Sequence, residues 1–292
     1  MKFCLGTVQF GQPYGLNREY YKNINSKFKK ILEWNRKAKF FNFLDTAHNY
    51  GKAEKIIGNN LNKFDNIKII SKISCNKNNY NFNDLYSNFS QTLERLKMDN
   101  LYGILVHDKS MFKKNRIDST LEFLNYVKKK KFAKKIGLSV YDKSELEENS
   151  KYFDFDLIQL PVNIFNQTFI KYNYLQNISK KYEIFVRSIF LQGLLLEDQN
   201  KINKYFNKHK FFLNQYYNFL NKNKITPLEA CLGLFYSLDL NINIVFGAND
   251  LRNIIQIKNA IKNIDTYKIK KLKYKVLSCR DNDLINPSYW KM

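Results

Sequence analysis

Short apolar runs alternate along the chain with longer stretches whose apolar residues recur near a helical period. The first run, Cys4-Leu5-Gly6-Thr7-Val8, reads as a strand that ends in the small, polar turn Gln9-Phe10-Gly11-Gln12. Ser26 is a candidate cap for a helix reaching about Lys39, with Phe28, Ile31, Leu32 and Trp34 on its apolar stripe. A strand at Asn42 to Asp45 and a helix from Ala53 to Asn62 come next. The same reading predicts strands over 67–73, 102–108, 133–140, 155–160, 184–188 and 242–247. Helices are expected from Asn83 or Asp84, over Asp118 to Lys131, from Ser144, over Tyr174 to Tyr182 and over Leu251 to Ile261. A longer insertion, Leu191 to Lys224, has room for one or two helices. It leads into Thr226-Pro227-Leu228-Glu229, a helix start with Pro at the first position.

Strand-then-helix units repeated in this way, without a long linker, predict an α/β fold of one domain over 1–292, a single (β/α)8 TIM barrel. A doubly wound open sheet uses the same units, but its Gly-x-Gly-x-x-Gly turn is missing, and the 10 glycines do not cluster. In a barrel the active site lies at the C-terminal ends of the strands. Here those ends carry Thr7, Asp45, Lys72, His107, Ser139, Gln159, Ser188 and Gly247, all polar or small.

The formal net charge of +23 raises the question of a polyanion surface. Lysine is spread over every segment, alongside abundant Asn, Ile, Phe and Tyr, which reads as compositional drift rather than a binding face. The one dense run, Lys128 to Lys131 with Lys134 and Lys135, falls where a helix C-terminus already favours cations. No specific nucleic-acid partner is expected. Cys4, Cys75, Cys231 and Cys279 lack the short spacings of a metal site or a disulfide framework, so no metal is expected and a reducing, cytoplasmic setting is. No apolar run approaches the roughly 20 residues of a membrane span, and the N-terminus lacks a signal-peptide core.

The stretch Phe43-Leu44-Asp45-Thr46-Ala47-His48-Asn49-Tyr50-Gly51 concentrates the chemistry. A phenol such as Tyr50 is a weak acid, with an ordinary pKa of about 10. A Lys72 ammonium nearby would lower that pKa, and Asp45 would hold Lys72 charged and in place. A neutral His107 could hydrogen-bond a carbonyl and polarise it. Such a group can protonate a carbonyl oxygen as hydride reaches the carbon, or run in reverse on an alcohol. Each residue alone has a plainer reading, such as a helix cap at Asp-Thr-Ala. Their placement at the ends of strands two, three and four is what makes them a set.

With these residues in view, the sequence resembles the aldo-keto reductases along nearly its whole length. The likeness rests on Leu5-Gly6-Thr7, on Leu44-Asp45-Thr46-Ala47 with Tyr50-Gly51, on Ser71-Lys72 and on Leu105-Val106-His107. It continues through Gly137-Leu138-Ser139, Ile158-Gln159-Leu160-Pro161-Val162-Asn163, Gln192-Gly193-Leu194-Leu195 and Phe246-Gly247-Ala248. The resemblance implies an NAD(P)H-dependent reductase of aldehydes or ketones. Tyr50 would be the general acid, Lys72 and Asp45 its tuners, and His107 would orient the carbonyl. It further implies that Gly6 and Thr7 contribute to the cofactor site and that Ser139 and Gln159 hold the nicotinamide carboxamide. Ser188, Leu191 and Gly193 would follow the pyrophosphate, and Gly247, Ala248 and Asn249 the adenosine. The family's N-terminal hairpin is expected to be absent, because the first strand begins almost at Met1.

Two departures stand out. Val140 occupies the place of a common Asn, and Arg187 that of a common aromatic residue that stacks on the nicotinamide. A guanidinium plane can stack as well, but it disfavours a cationic oxidised ring, which tilts the expectation toward reduction. NADPH is the expected cofactor, with NADH as the other candidate. Around the 2′-position, Arg252 would attract a phosphate, Asp250 would repel one, and Asn253 stands where Gln or Arg is usual. The pocket walls are expected from Gln9, Phe10, Tyr14, His48, Asn49, the loop Asp108 to Asn115, and 282–292 with Tyr289 and Trp290. Their amide and phenol groups suit a sugar-like carbonyl. The run from Gly6 to Gly15, with Arg187-Ser188-x-x-Leu191-Gln192-Gly193, is similar to a bacterial branch associated with surface-sugar metabolism. A redox sensor or regulatory subunit with the same fold and little turnover is the alternative function.

Overall fold

The computed structural model describes residues 1–16, 22–62, 65–75 and 80–291. Among these, eight parallel strands close into a barrel in sequence order. They are β1 (Lys2–Gly6), β2 (Phe43–Asp45), β3 (Lys68–Ile73), β4 (Leu101–Val106), β5 (Ala133–Ser139), β6 (Leu157–Pro161), β7 (Glu183–Arg187) and β8 (Asn243–Gly247). Closure comes from β1 pairing with β8, Gly6 opposite Gly247. Helices Ile24–Ala38, Ala53–Asn60, Phe82–Leu96, Ile117–Lys129, Pro227–Leu238 and Leu251–Asn263 cover the outside.

The barrel interior explains how the site is placed. Side chains alternate along a strand with a period of two, so every second residue points inward. One buried cluster inside the barrel consists of Cys4, Phe43, Ile70, Leu105, Leu157, Phe185 and Val245. Phe43 and Phe185 meet edge to face across it, with centroids 5.2 Å apart. Two residues further along these strands stand Gly6, Asp45, Lys72, His107, Gln159, Arg187 and Gly247. The apolar layer plugs the barrel, and the next inward layer is the polar floor of the cleft. Gly137 belongs to the plug, where a Cβ would lie 2.2 Å from Leu157 Cδ1, so only glycine leaves room for that leucine.

Several expected boundaries shift. The helix after β3 begins at Phe82, capped by Asn81, not at Asn83 or Asp84. Asn81 and Asp84 satisfy each other's backbone N–H groups, each at 3.1 Å. The short helix expected from Ser144 starts at Lys143 behind Asp142, whose carboxylate accepts from Glu145 N. Thr226 and Glu229 form the same reciprocal cap at the Pro227 helix. The insertion holds 3-10 turns at Leu191–Leu196, Gln199–Lys201 and Lys204–His209, then the helix Lys210–Asn223. In the dense basic run, Lys128 pairs with Asp156 and Lys135 with Glu183, so part of its charge is neutralised within the fold. Among the described residues, no helix is long and apolar enough to cross a membrane, and no cluster of His, Cys, Asp or Glu could hold a metal ion.

Candidate active site

The polar floor is organised around one carboxylate. Asp45 Oδ1 accepts from Lys72 Nζ at 2.7 Å and from Gln159 Nε2 at 2.7 Å. Lys72 Nζ also donates to Thr46 O at 2.9 Å. Asp45, Lys72 and Gln159 are all buried, so this is a charged pair taken out of water. Such a pair holds only when its remaining hydrogen-bonding capacity is met. Thr7 helps from behind, donating its hydroxyl to Asp45 O at 2.9 Å.

Tyr50 and His107 stand above this floor. The Lys72 ammonium lies 4.9 Å from the centre of the Tyr50 ring, and the Tyr50 and His107 rings meet edge on at 6.0 Å. Burial drives the His107 pKa down to about 3, helped by the Lys72 and Arg187 charges, so the imidazole is neutral. The expected acidification of Tyr50 by Lys72 is not seen in this arrangement. Burial, and then the Asp45 carboxylate, push the Tyr50 pKa up; the opposing cation is Arg187. The reason is geometric: two of the three Lys72 proton donors go to Asp45 and Thr46, and its charge is offset by the carboxylate it touches.

The Tyr50 loop is held by a close backbone approach. A Cβ on Gly11 would lie 1.7 Å from Tyr50 O, and Gly51 has φ +53 with its own Cβ position 2.4 Å from Gly11 O. Lys52 N donates to Gly11 O at 3.1 Å across this contact. Two glycines let the loop after β1 press directly on the loop that carries the phenol.

A cavity of about 510 Å³ runs outward from Asp45, Tyr50, His107 and Gln159. Gly6, Thr7, Arg187, Ser188, Gly193, Gly247, Ala248, Asn249 and Asn253, all residues assigned to a cofactor from sequence, also line it. Its outer end reaches the N-terminus of the Leu251–Asn263 helix, where backbone N–H groups favour anions. Three expected cofactor residues lie elsewhere. Ser139 lines a second cavity of about 440 Å³. Leu191 is buried at 0% exposure, where it supports the loop rather than the cleft surface. Arg252 is exposed and turned onto Asp250, 3.3 Å away, so Asn253 and Gln256 form that end of the wall.

Among the expected pocket walls, Gln9 and Tyr14 line the first cavity, and Asp108, Lys109, Asn282 and Tyr289 the second. Phe10 does not: it packs edge on against Phe28 in the core. Trp290 is likewise buried against Phe206. Asn49 lines neither cavity, and His48 faces Arg95, whose NH2 lies 2.9 Å from its Nδ1. The loop after β7 was assigned to the cofactor from sequence, but its backbone conformation was not foreseen. Ser188, Leu191 and Gln192 all have positive φ, as does Gly193 at +102. Left-handed backbone concentrated at non-glycine positions is a feature of ligand-holding loops.

The cleft suits a nicotinamide dinucleotide on its own chemistry. Gln159 Oε1 is buried without a partner among the described residues and offers an acceptor for a carboxamide N–H. At Gly247 a Cβ would lie 3.1 Å from the Gln9 amide, so the bare backbone there keeps the channel open.

Comparison with known proteins agrees with this geometry. Residues 2–276 match the model of the aldo/keto reductase family. No curated protein matches the sequence. Among solved structures, the chain is similar to a Bacillus halodurans aldo-keto reductase in its holo form, at 17% identity over 92% of this chain and 91% of that one, with a TM-score of 0.70. It is similar to a Gluconobacter oxydans glycerol dehydrogenase, also at 17%, over 92% and 93%, with a TM-score of 0.67. A Klebsiella pneumoniae aldo-keto reductase in complex with NADPH follows at 15%, over 90% and 86%, with a TM-score of 0.67. At such identities the structures speak to the fold, while the family match covers almost the whole sequence: this chain belongs to the aldo/keto reductase family.

Proposed function

We propose that the protein reduces an aldehyde or ketone to the alcohol with NADPH, and that Tyr50 delivers the proton. The observation that carries this is a protonated phenol and a neutral imidazole set edge on over a buried Lys72–Asp45 pair. When bound, the dinucleotide supplies the hydride. Gln159 and the cleft residues from Ser188 to Asn253 would hold it, Gln159 by its free amide oxygen. His107 is uncharged at any physiological pH, so it hydrogen-bonds a carbonyl oxygen without competing for the proton. Tyr50 keeps its proton until an alkoxide forms. An alkoxide is a stronger base than a phenolate, so the transfer runs downhill despite the raised pKa of the phenol. Lys72 then faces a phenolate, and the charge it shares with Asp45 is drawn toward the ring.

The choice of NADPH is supported by the NADPH complex of the Klebsiella relative. The second cavity, lined by Asn166, Thr168, Asn282, Asn286 and Ser288, supports a hydroxylated substrate, because amides and hydroxyls match alternating donors and acceptors. The test is cofactor oxidation on a panel of aldehydes and hydroxylated carbonyls. Tyr50→Phe should lower turnover by about 10²–10⁴-fold while cofactor binding persists. Equal rates in the two proteins would overturn the assignment of Tyr50, and cofactor binding with no turnover on any carbonyl would point to the sensor reading instead.

A further inference from the structure

The two cavities share a short wall made of His107, Tyr141, Arg187, Ser188 and residues 286–288. Arg187 is the cation of that wall. Its guanidinium lies over the Tyr141 ring, 4.3 Å from the centroid. Its NH2 donates to Val140 O at 3.2 Å and its NH1 to Ser188 Oγ at 3.4 Å. All three partners are neutral, and among the described residues no carboxylate pairs with it. A guanidinium carries five N–H donors in a planar fork, so donors are left over.

The acids near it are committed elsewhere. Asp108 accepts from Ser110 N and Oγ, each at 2.8 Å. Asp142 accepts from Ser144 Oγ and Glu145 N. Glu145 accepts from Tyr141 N at 2.7 Å and pairs with Lys109 at 3.0 Å. Asp45 is held by Lys72 and Gln159, both on Oδ1. Each of these acids is engaged by other groups, and among the described residues none pairs with the fork. A half-buried guanidinium without a counter-charge is poised for an anion brought by a ligand, and its fork matches a carboxylate. It stands on the same cavity wall as Tyr50 and His107, so the anion would lie within a few bonds of the reacting carbonyl.

We propose that Arg187 selects carbonyl substrates bearing a carboxylate a few carbons from the reacting carbon, such as semialdehyde acids or sugar acids. This rests on the reductase reading above and narrows its substrate class. The stacked Tyr141 fixes the guanidinium plane, so Arg187 binds the anion without first paying the entropy of being ordered.

The test uses matched pairs on the cofactor-loaded protein: 4-oxobutanoate against butanal, and glucuronate against glucose. The acid of each pair should have a kcat/KM about tenfold or more above that of its neutral partner, carried mainly by KM. That ratio should collapse toward one in Arg187→Gln and stay partly in Arg187→Lys. In parallel, calorimetric titration with malonate and succinate should show binding that Arg187→Gln abolishes. Malonate binding with no turnover of any carbonyl would overturn the reductase reading and leave Arg187 as an anion site. Equal use of acids and neutral partners, with no dicarboxylate bound, would overturn the Arg187 assignment and leave the reductase reading standing. If Arg187→Gln weakens NADPH binding and leaves the acid-to-neutral ratio unchanged, the guanidinium serves the cofactor's phosphates and the proposal fails.

Discussion

Ser71 and Lys72 are neighbours on β3, yet they serve two different buried charge networks. Strand alternation sends Lys72 inward to Asp45 and Ser71 outward to the helix layer. There Glu54 accepts from Ser71 Oγ at 2.8 Å, Thr92 Oγ1 at 3.3 Å and Arg95 Nε at 2.8 Å. Arg95 in turn reaches His48. Every polar atom of the Glu54 carboxylate is met from within the fold. The inner network is different: Gln159 Oε1 and Thr46 Oγ1 are buried without partners, and the Tyr50 hydroxyl has none among the described residues. Two ion pairs of similar chemistry, side by side, differ in completeness. The saturated one joins the Glu54 and Arg95 helices to the barrel. The incomplete one faces the cleft, and its unmet groups are the ones a ligand can use.

The comparison can be broken by removing one charge from each network. Lys72→Met strands Asp45 in the buried floor and should cost about 3–5 kcal/mol of stability, together with most of the turnover. Urea unfolding and steady-state rates measure both. Turnover close to wild type would refute the functional reading of the inner pair. Glu54→Gln should cost less, roughly 1–3 kcal/mol, because Arg95 is part-exposed and can take up water. Its turnover per folded molecule should be unchanged, and a deep loss of turnover would erase the distinction between the networks.

The smallest expected effect is on pH dependence. His107 has a folded pKa of about 3, well below its unfolded value of about 6.5. The unfolded chain therefore binds a proton that the folded one refuses. His107 costs nothing above about pH 6.5, and stability falls by up to about 1.4 kcal/mol per pH unit as pH drops below that value. His48 and His209, also held below their usual values, act in the same direction. Comparing wild type with His107→Gln between pH 6.5 and 5 isolates the contribution, and parallel curves would show that His107 does not titrate as described.

Much of the site was legible before the fold. The inward alternation of β2, β3 and β4 places Asp45, Lys72 and His107 at one mouth, and local pattern suffices to see that. Gln159 on Asp45 was not legible, because that bond joins residues brought together only when β6 lies across the closed barrel from β2. Arg95 with His48 required the Phe82–Leu96 helix to pack on the Ala53–Asn60 helix. Phe10 and Trp290 looked like pocket walls because an exposed aromatic ring and a buried one read alike in sequence; packing decided between them.

By itself, then, the sequence determined the repeating strand-and-helix order, the Thr226 cap of the Pro227 helix and the identity of Asp45, Tyr50, Lys72 and His107 as a set. These follow from short-range physics: side-chain period, cap chemistry and turn residues. Only the tertiary structure decided which hydrogen-bonding groups are spent and which are left open. It buried Tyr50 beside the Asp45 carboxylate, which together raise its pKa, turned Arg252 onto Asp250, and set Arg187 on Tyr141 without an acid partner among the described residues. Satisfaction of a polar group is a property of all its neighbours at once, and those neighbours assemble only when the barrel closes.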